Sequence, residues 1–462
     1  MNTIGIIAEY NPFHNGHHYQ IETIKAQTGA KHVVVVMSGD FVQRGTPAWT
    51  DKYLRAQMTL SCGADMVFEL PVSFATASAE AFARAGVSIL TSLCFVDGIC
   101  FGSECDNLPL LQEIAEFLAV PSNSFEESIR LLTAKGISYP AARAQALSEY
   151  FNDPCQNNPT LFSAPNNILA IEYLKAIRQS DSHLIPFLIP RKDSGYHSEN
   201  IGTAFASATA IRKASFSSIE HIKLLSNSKD TNSHFDTIKP PNPKEVFLRT
   251  IASAVPKEVL HILEENDNRY PITENDFSTL LYYRLIKASP DDTNILDMTE
   301  EILYRIQKRL PAFTSFSDFT EKIKTKQYTY SRISRVLLHC LLDITDLKNS
   351  SISNEFSIEV QHNKNVSPTD KFSLPYVPYA RLLGFRREAS ILLRNETAIP
   401  IITKPADGLA QMKEFYTEEN YMNHACTLYN RDIFSSNLYQ QVQNTTLGCK
   451  RKNEYYNQPI IL

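Results

Sequence analysis

Five short apolar runs punctuate the first half of the chain: TIGIIA (3–8), HVVVVMS (32–38), DMVFELP (65–71), GICFGS (98–103) and LIPFLIP (184–190). They are rich in β-branched and aliphatic side chains with little alternation, the pattern of strands covered on both faces. Between them, residues 17–28, 51–61, 76–92, 109–119 and 166–178 repeat apolar positions at helical spacing. Strand and helix in alternation predict an α/β fold with a Rossmann-like, doubly wound parallel sheet. In such sheets ligands bind beyond the carboxyl ends of the strands, where the strand order reverses.

The pattern changes near residue 225. Residues 226–244, SNSKDTNSHFDTIKPPNPK, are polar and proline-bearing without periodicity, which predicts a linker or long loop. Beyond it, 245–264, 275–288, 298–309, 316–325 and 329–345 read as helices, and 379–395 as a turn followed by a basic helix. The polar, tyrosine-rich tail 440–462 gives no assignment. The expected division is a catalytic domain over 1–225, the linker over 226–244 and a mainly helical region over 245–462.

Composition narrows the class. With 43% hydrophobic and 21% charged residues, the chain is neither disordered nor fibrous. A net charge of -5 gives no global basic footprint, so a nucleic-acid partner must be met by local patches. The eight cysteines show no CxxC pair, which points to a reducing cytoplasm. Cys100 and Cys105 lack a nearby histidine to complete a zinc site and are expected to be buried thiols, with His32, His197 and His339 structural. The N-terminus has no basic leader, and no run approaches the ~18 apolar residues of a membrane span.

The chemistry concentrates after the first strand, where IAEYNPFHNGHHYQ (7–20) holds three of the 12 histidines. Gly16 permits close backbone approach, the following helix offers free N–H groups, and His14 and His17 can donate to phosphate oxygens. His18 is set apart as a residue that only starts the helix. Such a site suits adenylyl transfer, which rests on positioning and charge stabilisation and needs no protein nucleophile.

These residues resemble the HIGH-type signature of the nucleotidyltransferase superfamily. The blocks MSGDFVQRGTPAWTDKYLRAQ, GADMVFELP, FGSE, PNNILAIEYLKA and SATAIR, with YTYSRISRVLLHCLL and YARLLGF later, resemble the bacterial tRNA(Met) cytidine acetate ligase family. The resemblance implies that acetate and ATP form acetyl-adenylate, and that the acetyl group passes to N4 of the wobble cytidine of elongator tRNA(Met). It implies ATP contacts by Ile7, Ala8, Glu9, Tyr10, Asn11, Pro12, Phe13, His14, Asn15, Gly16, His17, His18, Tyr19 and Gln20, and by Gly102, Arg191, Ser207 and Thr209. His14, His17 and Arg212 take the catalytic roles, and magnesium is expected with the ATP phosphates.

Other residues carry two readings. Asn166 or Asn167 contacts the nucleotide or caps a helix, with Asn166 favoured for ATP by similarity. Asp40, Gln43, Arg44, Lys52 and Arg55 suggest a lid over acetate or the wobble base, and Trp49 a stacking ring or a buried anchor. Lys322, Lys324, Lys326, Arg332 and Arg335, interleaved with Tyr328 and Tyr330, form one candidate tRNA patch, and Arg381, Arg386, Arg387 and Arg394 a second. Two rivals to the ligase remain: a small-molecule adenylyl- or cytidylyltransferase of the same superfamily, and a non-catalytic RNA-binding protein that keeps a nucleotide fold.

Overall fold

The computed structural model describes residues 1–151, 161–191, 206–216, 242–266, 268–346, 376–450 and 452–462. His197 and nearly all of the expected linker lie outside these residues. The strands are β1 (Thr3–Ala8), β2 (His32–Ser38), a hairpin of β3 (Phe41–Val42) and β4 (Thr46–Pro47), β5 (Met66–Leu70), β6 (Gly98–Ser103), β7 (Ile185–Pro190), β8 (Ala380–Phe385), β9 (Ile401–Ile402) and β10 (Ile460–Ile461). One eight-stranded sheet runs β10-β8-β5-β2-β1-β6-β7, with β9 beside β8. From β5 to β7 every pair is parallel, in register such as Ile6 with Val35 and Ile6 with Cys100. The chain fills one side of β1 with β2 and β5, then crosses to β6 and β7. The order therefore reverses between β1 and β6.

Successive strand residues feed two cores. Ile4, Ile6, Val33, Val35 and Met37 pack beneath α1 (Asn15–Thr28), α2 (Lys52–Ser61) and the helical segments at 208–216 and 243–265. Ile7, Val34, Val36, Phe68 and Ile99 pack against Ala79–Ser92, Leu108–Ala119 and Pro165–Gln179. A third core joins the helices between 272 and 345 with Phe41 of the hairpin and Tyr439. The run LIPFLIP, read as a strand covered on both faces, instead forms the sheet edge, with Ile185 50% exposed. Its two prolines suit that place, because an edge strand has no outer neighbour needing their missing N–H.

The region from 245 to 462 is not helical throughout. YARLLGF, read as a turn leading to a basic helix, forms β8 antiparallel to β5, and Arg387–Arg394 follows as a 3-10 helix. β10 pairs with β8, so the large sheet is completed from segments distant in sequence. The unassigned tail contributes the end of a long helix, Glu419–Leu447, whose Asp432 accepts from the Val72 amide at 2.7 Å.

A buried ion cluster fastens this C-terminal part to α2. Lys52 Nζ lies 2.7 Å from Glu69 Oε1, 2.8 Å from Glu454 Oε1 and 2.7 Å from Ser436 Oγ. Arg381 pairs with Glu454 and stands 3.3 Å from Glu69. Gln440, Tyr53 and Asn457 donate to Glu454 as well. Lys52 and Arg381 thus offset the charges of Glu69 and Glu454 out of water, with buried Asp40 also acting on Lys52. Burial alone would raise the Glu454 carboxyl, but Lys52 and Arg381 beside it pull it down to about 2.

Removing one partner leaves an uncompensated buried charge, which costs roughly 3–5 kcal/mol. Glu454→Ala is therefore expected to lower unfolding free energy by about that amount in chemical denaturation, whereas Glu127→Ala, in an exposed pair with Arg130, is expected to change it little.

Candidate active site

β1 ends at Ala8, and the chain turns through Glu9 to Phe13 into α1, whose N-cap is His14 in extended conformation. His14 Nδ1 accepts from the Gly16 N–H at 3.1 Å, and His17 Nδ1 accepts from the His14 N–H at 3.3 Å. This is a reciprocal capping box built from two imidazoles. Because both Nδ1 atoms accept from backbone, each neutral ring carries its proton on Nε2. The rings stack with centroids 3.6 Å apart, and Tyr10 lies 4.5 Å from His17 as an apolar wall. Burial, then the positive charges of Arg191 and Arg212, push His14 down to about 3, and burial and its neighbours hold His17 well below the usual histidine range. Both rings are thus neutral donors at physiological pH.

Gly16 is required by this arrangement. A Cβ there would stand 2.9 Å from His14 Cε1, so any side chain pushes the imidazole away. Asn15 docks the turn on the segment before 257, with its N–H on the Ala254 carbonyl at 3.0 Å and its Nδ2 on the Ser253 carbonyl at 2.9 Å.

Two arginines, Arg191 and Arg212, stand near the imidazoles. Arg212 donates to the Asn11 carbonyl at 2.6 Å and to Thr209 Oγ1 at 3.2 Å, which fixes its guanidinium beside the first turn. Burial pushes its pKa down to about 10, with Glu9 supporting its charge and Arg44 opposing it, so it remains a cation at neutral pH. Ser207 caps the same helix through the Ala210 N–H at 3.2 Å. Arg191 follows β7, is exposed, and donates its backbone N–H to the Ser103 carbonyl at 3.0 Å. Gly102, half-buried at the end of β6, would carry a Cβ only 3.7 Å from Arg191 Cγ.

The asparagine alternatives separate. Asn167 is fully buried, and its Oδ1 accepts from Ser103 Oγ at 2.6 Å, the Cys105 N–H at 2.9 Å and the Glu104 N–H at 3.0 Å. It anchors the loop after β6. Asn166 is half-buried and donates to Glu104 Oε1 at 2.6 Å.

Several expectations are corrected. His18 Nδ1 lies 3.1 Å from the Cys62 carbonyl and Gln20 donates to the Cys100 carbonyl at 3.5 Å, so both side chains hold α1 on the scaffold. The side chains of Ile7 and Phe13 belong to the cores, and Tyr19 packs partly buried against one. Most of the expected lid is interior: Asp40 and Lys52 are buried, and Arg55 donates to the carbonyls of Glu9, Ser38 and Gly39. Only Gln43 and Arg44 remain at the hairpin tip. Trp49 is a buried anchor, its Nε1 donating to Ser215 Oγ at 2.9 Å beneath the helix that carries Arg212.

Arg381 belongs to the buried ion cluster and is removed from the second basic patch. Arg386 donates its backbone N–H to the Asp65 carbonyl, just before β5 begins, which sets Arg386 and Arg387 beside the amino end of that strand. They stand at the end of the sheet opposite the carboxyl-end crevice. In the first patch Arg335 pairs with Asp297 at 3.2 Å, and Tyr328 is buried under Arg332, 5.0 Å from its ring. Lys322 donates to the Ala312 carbonyl, and Lys324 pairs with Glu321 yet stays exposed, as does Lys326. His339 is buried between the Leu296 and Thr76 carbonyls, and Cys100 and Cys105 are buried free thiols.

Sequence reading missed Ser215 and Glu104, and it took Arg55 for part of a lid rather than a buried clamp on backbone carbonyls. Arg55 offered one signal, a charged residue inside an otherwise apolar stretch of helix. Among the described residues no group of three His, Cys, Asp or Glu side chains is placed to hold a metal, and no helix is long and apolar enough to cross a membrane.

A parallel set of strands with paired imidazoles at its switch point and the guanidinium groups of Arg191 and Arg212 nearby defines a nucleotidyl-transfer site. The HIGH Nucleotidyl Transferase family profile matches residues 1–454. A tRNA(Met) cytidine acetate ligase of Acetivibrio thermocellus is 36% identical over 413 residues, covering 88% of this chain and 89% of that protein. The protein of the same name from Clostridium novyi is 33% identical over 445 residues, covering 95% and 100%. The crystal structure of Thermotoga maritima TmcAL bound with alpha-thio ATP superposes with a TM-score of 0.79 at 26% identity, covering all of both chains. The chain belongs to the tRNA(Met) cytidine acetate ligase family.

Two outcomes follow from the geometry. Gly16→Ala is expected to keep the fold and weaken ATP binding by about tenfold or more in calorimetry, through the displaced imidazole. Because folded His14 and His17 titrate below the unfolded value near 6.5, the unfolded chain binds more protons below that pH, for His14 down to about 3. Their contribution to stability is complete above pH 6.5 and falls away as pH drops toward 3, measured as a steeper acid-side loss of melting temperature in the wild type than in His14→Gln.

Proposed function

We propose that the chain is an ATP-dependent acetate ligase that forms acetyl-adenylate and passes the acetyl group to N4 of the wobble cytidine of elongator tRNA(Met), giving N4-acetylcytidine. The observation that carries this reading is the pair of neutral, Nε2-protonated imidazoles flanked by Arg191 and Arg212, in a chain of this family. An acetate oxygen attacks the α-phosphorus of ATP, the bond to the β-phosphate oxygen breaks, and pyrophosphate leaves with the electron pair. His14 and His17 donate hydrogen bonds to the triphosphate without a prior proton loss, and the two guanidinium groups stabilise the charge that grows on the departing oxygens. Gly102 and Asn166, at the β6 side of the switch point, contact the nucleoside in this reading.

The second step needs proximity more than a strong base. The cytosine amine is a poor nucleophile, and the mixed anhydride supplies an acyl carbon reactive enough for it. The amine nitrogen bonds to the acetyl carbon, AMP departs as the leaving group, and the amine's proton passes to solvent. Magnesium would offset charge on the triphosphate if carried in with ATP, and among the described residues no group of three His, Cys, Asp or Glu side chains is placed to hold it. Lys324, Lys326 and Arg332 are the basic groups on the helical side that suit tRNA phosphates, and a tRNA substrate sets the reaction in the cytoplasm.

Purified chain given ATP, labelled acetate and tRNA is expected to release AMP and pyrophosphate only when acetate is present, and to label the tRNA. His14→Ala and His17→Ala are expected to lose about 100-fold or more of that rate, the magnitude for losing one preorganised donor. ATP cleavage that ignores acetate contradicts the ligase, and full activity in both variants contradicts the role of the imidazoles.

A further inference from the structure

The tip of the β3–β4 hairpin has no part in the scheme above, yet it is built onto the crevice. The Gln43 N–H donates to Glu9 Oε1 at 2.8 Å, which ties the tip to the residue that follows β1. Its side-chain Nε2 is shielded from solvent and has no hydrogen-bond partner. A buried donor left unmade is costly, so a group that accepts from it during turnover has a clear place. Arg44 beside it is exposed, and its charge opposes that of Arg212, so positive charge collects here with Glu9 as its near counterion.

We infer that Gln43 and Arg44 bind the carboxylate of the acid substrate, on the side of β1 away from the nucleotide. This rests on the ligase reading. Topology separates the two substrates: β6 with Gly102 lies on one side of β1, and β2, which runs into the hairpin, lies on the other. An in-line displacement needs the attacking oxygen opposite the departing pyrophosphate, and a carboxylate approaching a polyanion needs a cation beside it. A shielded amide N–H suits a small planar carboxylate better than a bulky triphosphate. The hairpin is also fixed from above. Gly45 has φ +76° and packs on the Arg335 backbone so closely that a Cβ there would overlap it, and Ser334 Oγ donates to the Gly45 carbonyl at 2.9 Å. The hairpin thus stands against the helix Tyr330–Leu342, one turn from Arg332.

The test is the rate of pyrophosphate release against acetate concentration at saturating ATP, for wild type, Gln43→Leu, Arg44→Ala and Arg44→Lys. ATP binding without acetate, by calorimetry, serves as the folding control. The acetate KM is expected to rise about tenfold or more in Gln43→Leu and Arg44→Ala, with ATP affinity held within about threefold. Arg44→Lys is expected to recover part of the loss, since the charge remains and the fork does not. An unchanged acetate KM in active variants overturns the inference, and so does a loss of ATP affinity equal to the rise in acetate KM. A wild-type chain whose pyrophosphate release ignores acetate overturns the ligase reading and this inference with it.

Discussion

The first turn of α1 must have its backbone N–H groups satisfied, and here two imidazoles accept from those of His14 and Gly16. That requirement fixes which nitrogen of each ring carries a proton, and hence what the rings can offer a ligand. A serine and glutamate box would cap the helix as well, but its acceptors would be directed at backbone and its charge would repel phosphate. With histidine, one nitrogen serves the fold and the other remains a donor. Burial then keeps both rings neutral, so they donate without bringing a proton that could be lost with pH.

Much of the surrounding structure holds this turn in place. Arg212 grips the Asn11 carbonyl, Arg55 the Glu9 carbonyl, and Asn15 the carbonyls near 254. Trp49 and Ser215 support the helix that presents Arg212. Beneath α2, the Lys52, Glu69, Arg381 and Glu454 cluster joins the last residues of the chain to the first half of the sheet. Replacing such a cluster by apolar side chains need not weaken a fold, but breaking it does, so it acts as a lock between segments distant in sequence.

The parallel strands and the helices between them were legible because each is a local pattern: TIGIIA and HVVVVMS are runs that only a doubly covered strand explains. The HxGH turn was legible for the same reason, since spacing alone brings His14, Gly16 and His17 together. β8 was not, because YARLLGF carries two basic residues nearby and its partner β5 lies more than 300 residues away, so nothing local marks it as a strand. The same limit misled the charged residues. Lys52, Arg55 and Arg381 look solvated in sequence, and only long-range partners, two carboxylates and a set of backbone carbonyls, bring them inside. The choice between Asn166 and Asn167 also needed three dimensions, because it turns on which amide faces the loop after β6.

The chemistry of the site turns on the protonation state of two rings. Nitrogen NMR of the chain with labelled histidine reads it directly, with His14→Gln and His17→Gln used for assignment. The expected result is that both rings show an unprotonated Nδ1 and a protonated Nε2 that stay unchanged from pH 8 to pH 5.5 in the absence of nucleotide. Either ring titrating near 6.5, or carrying its proton on Nδ1, would contradict it.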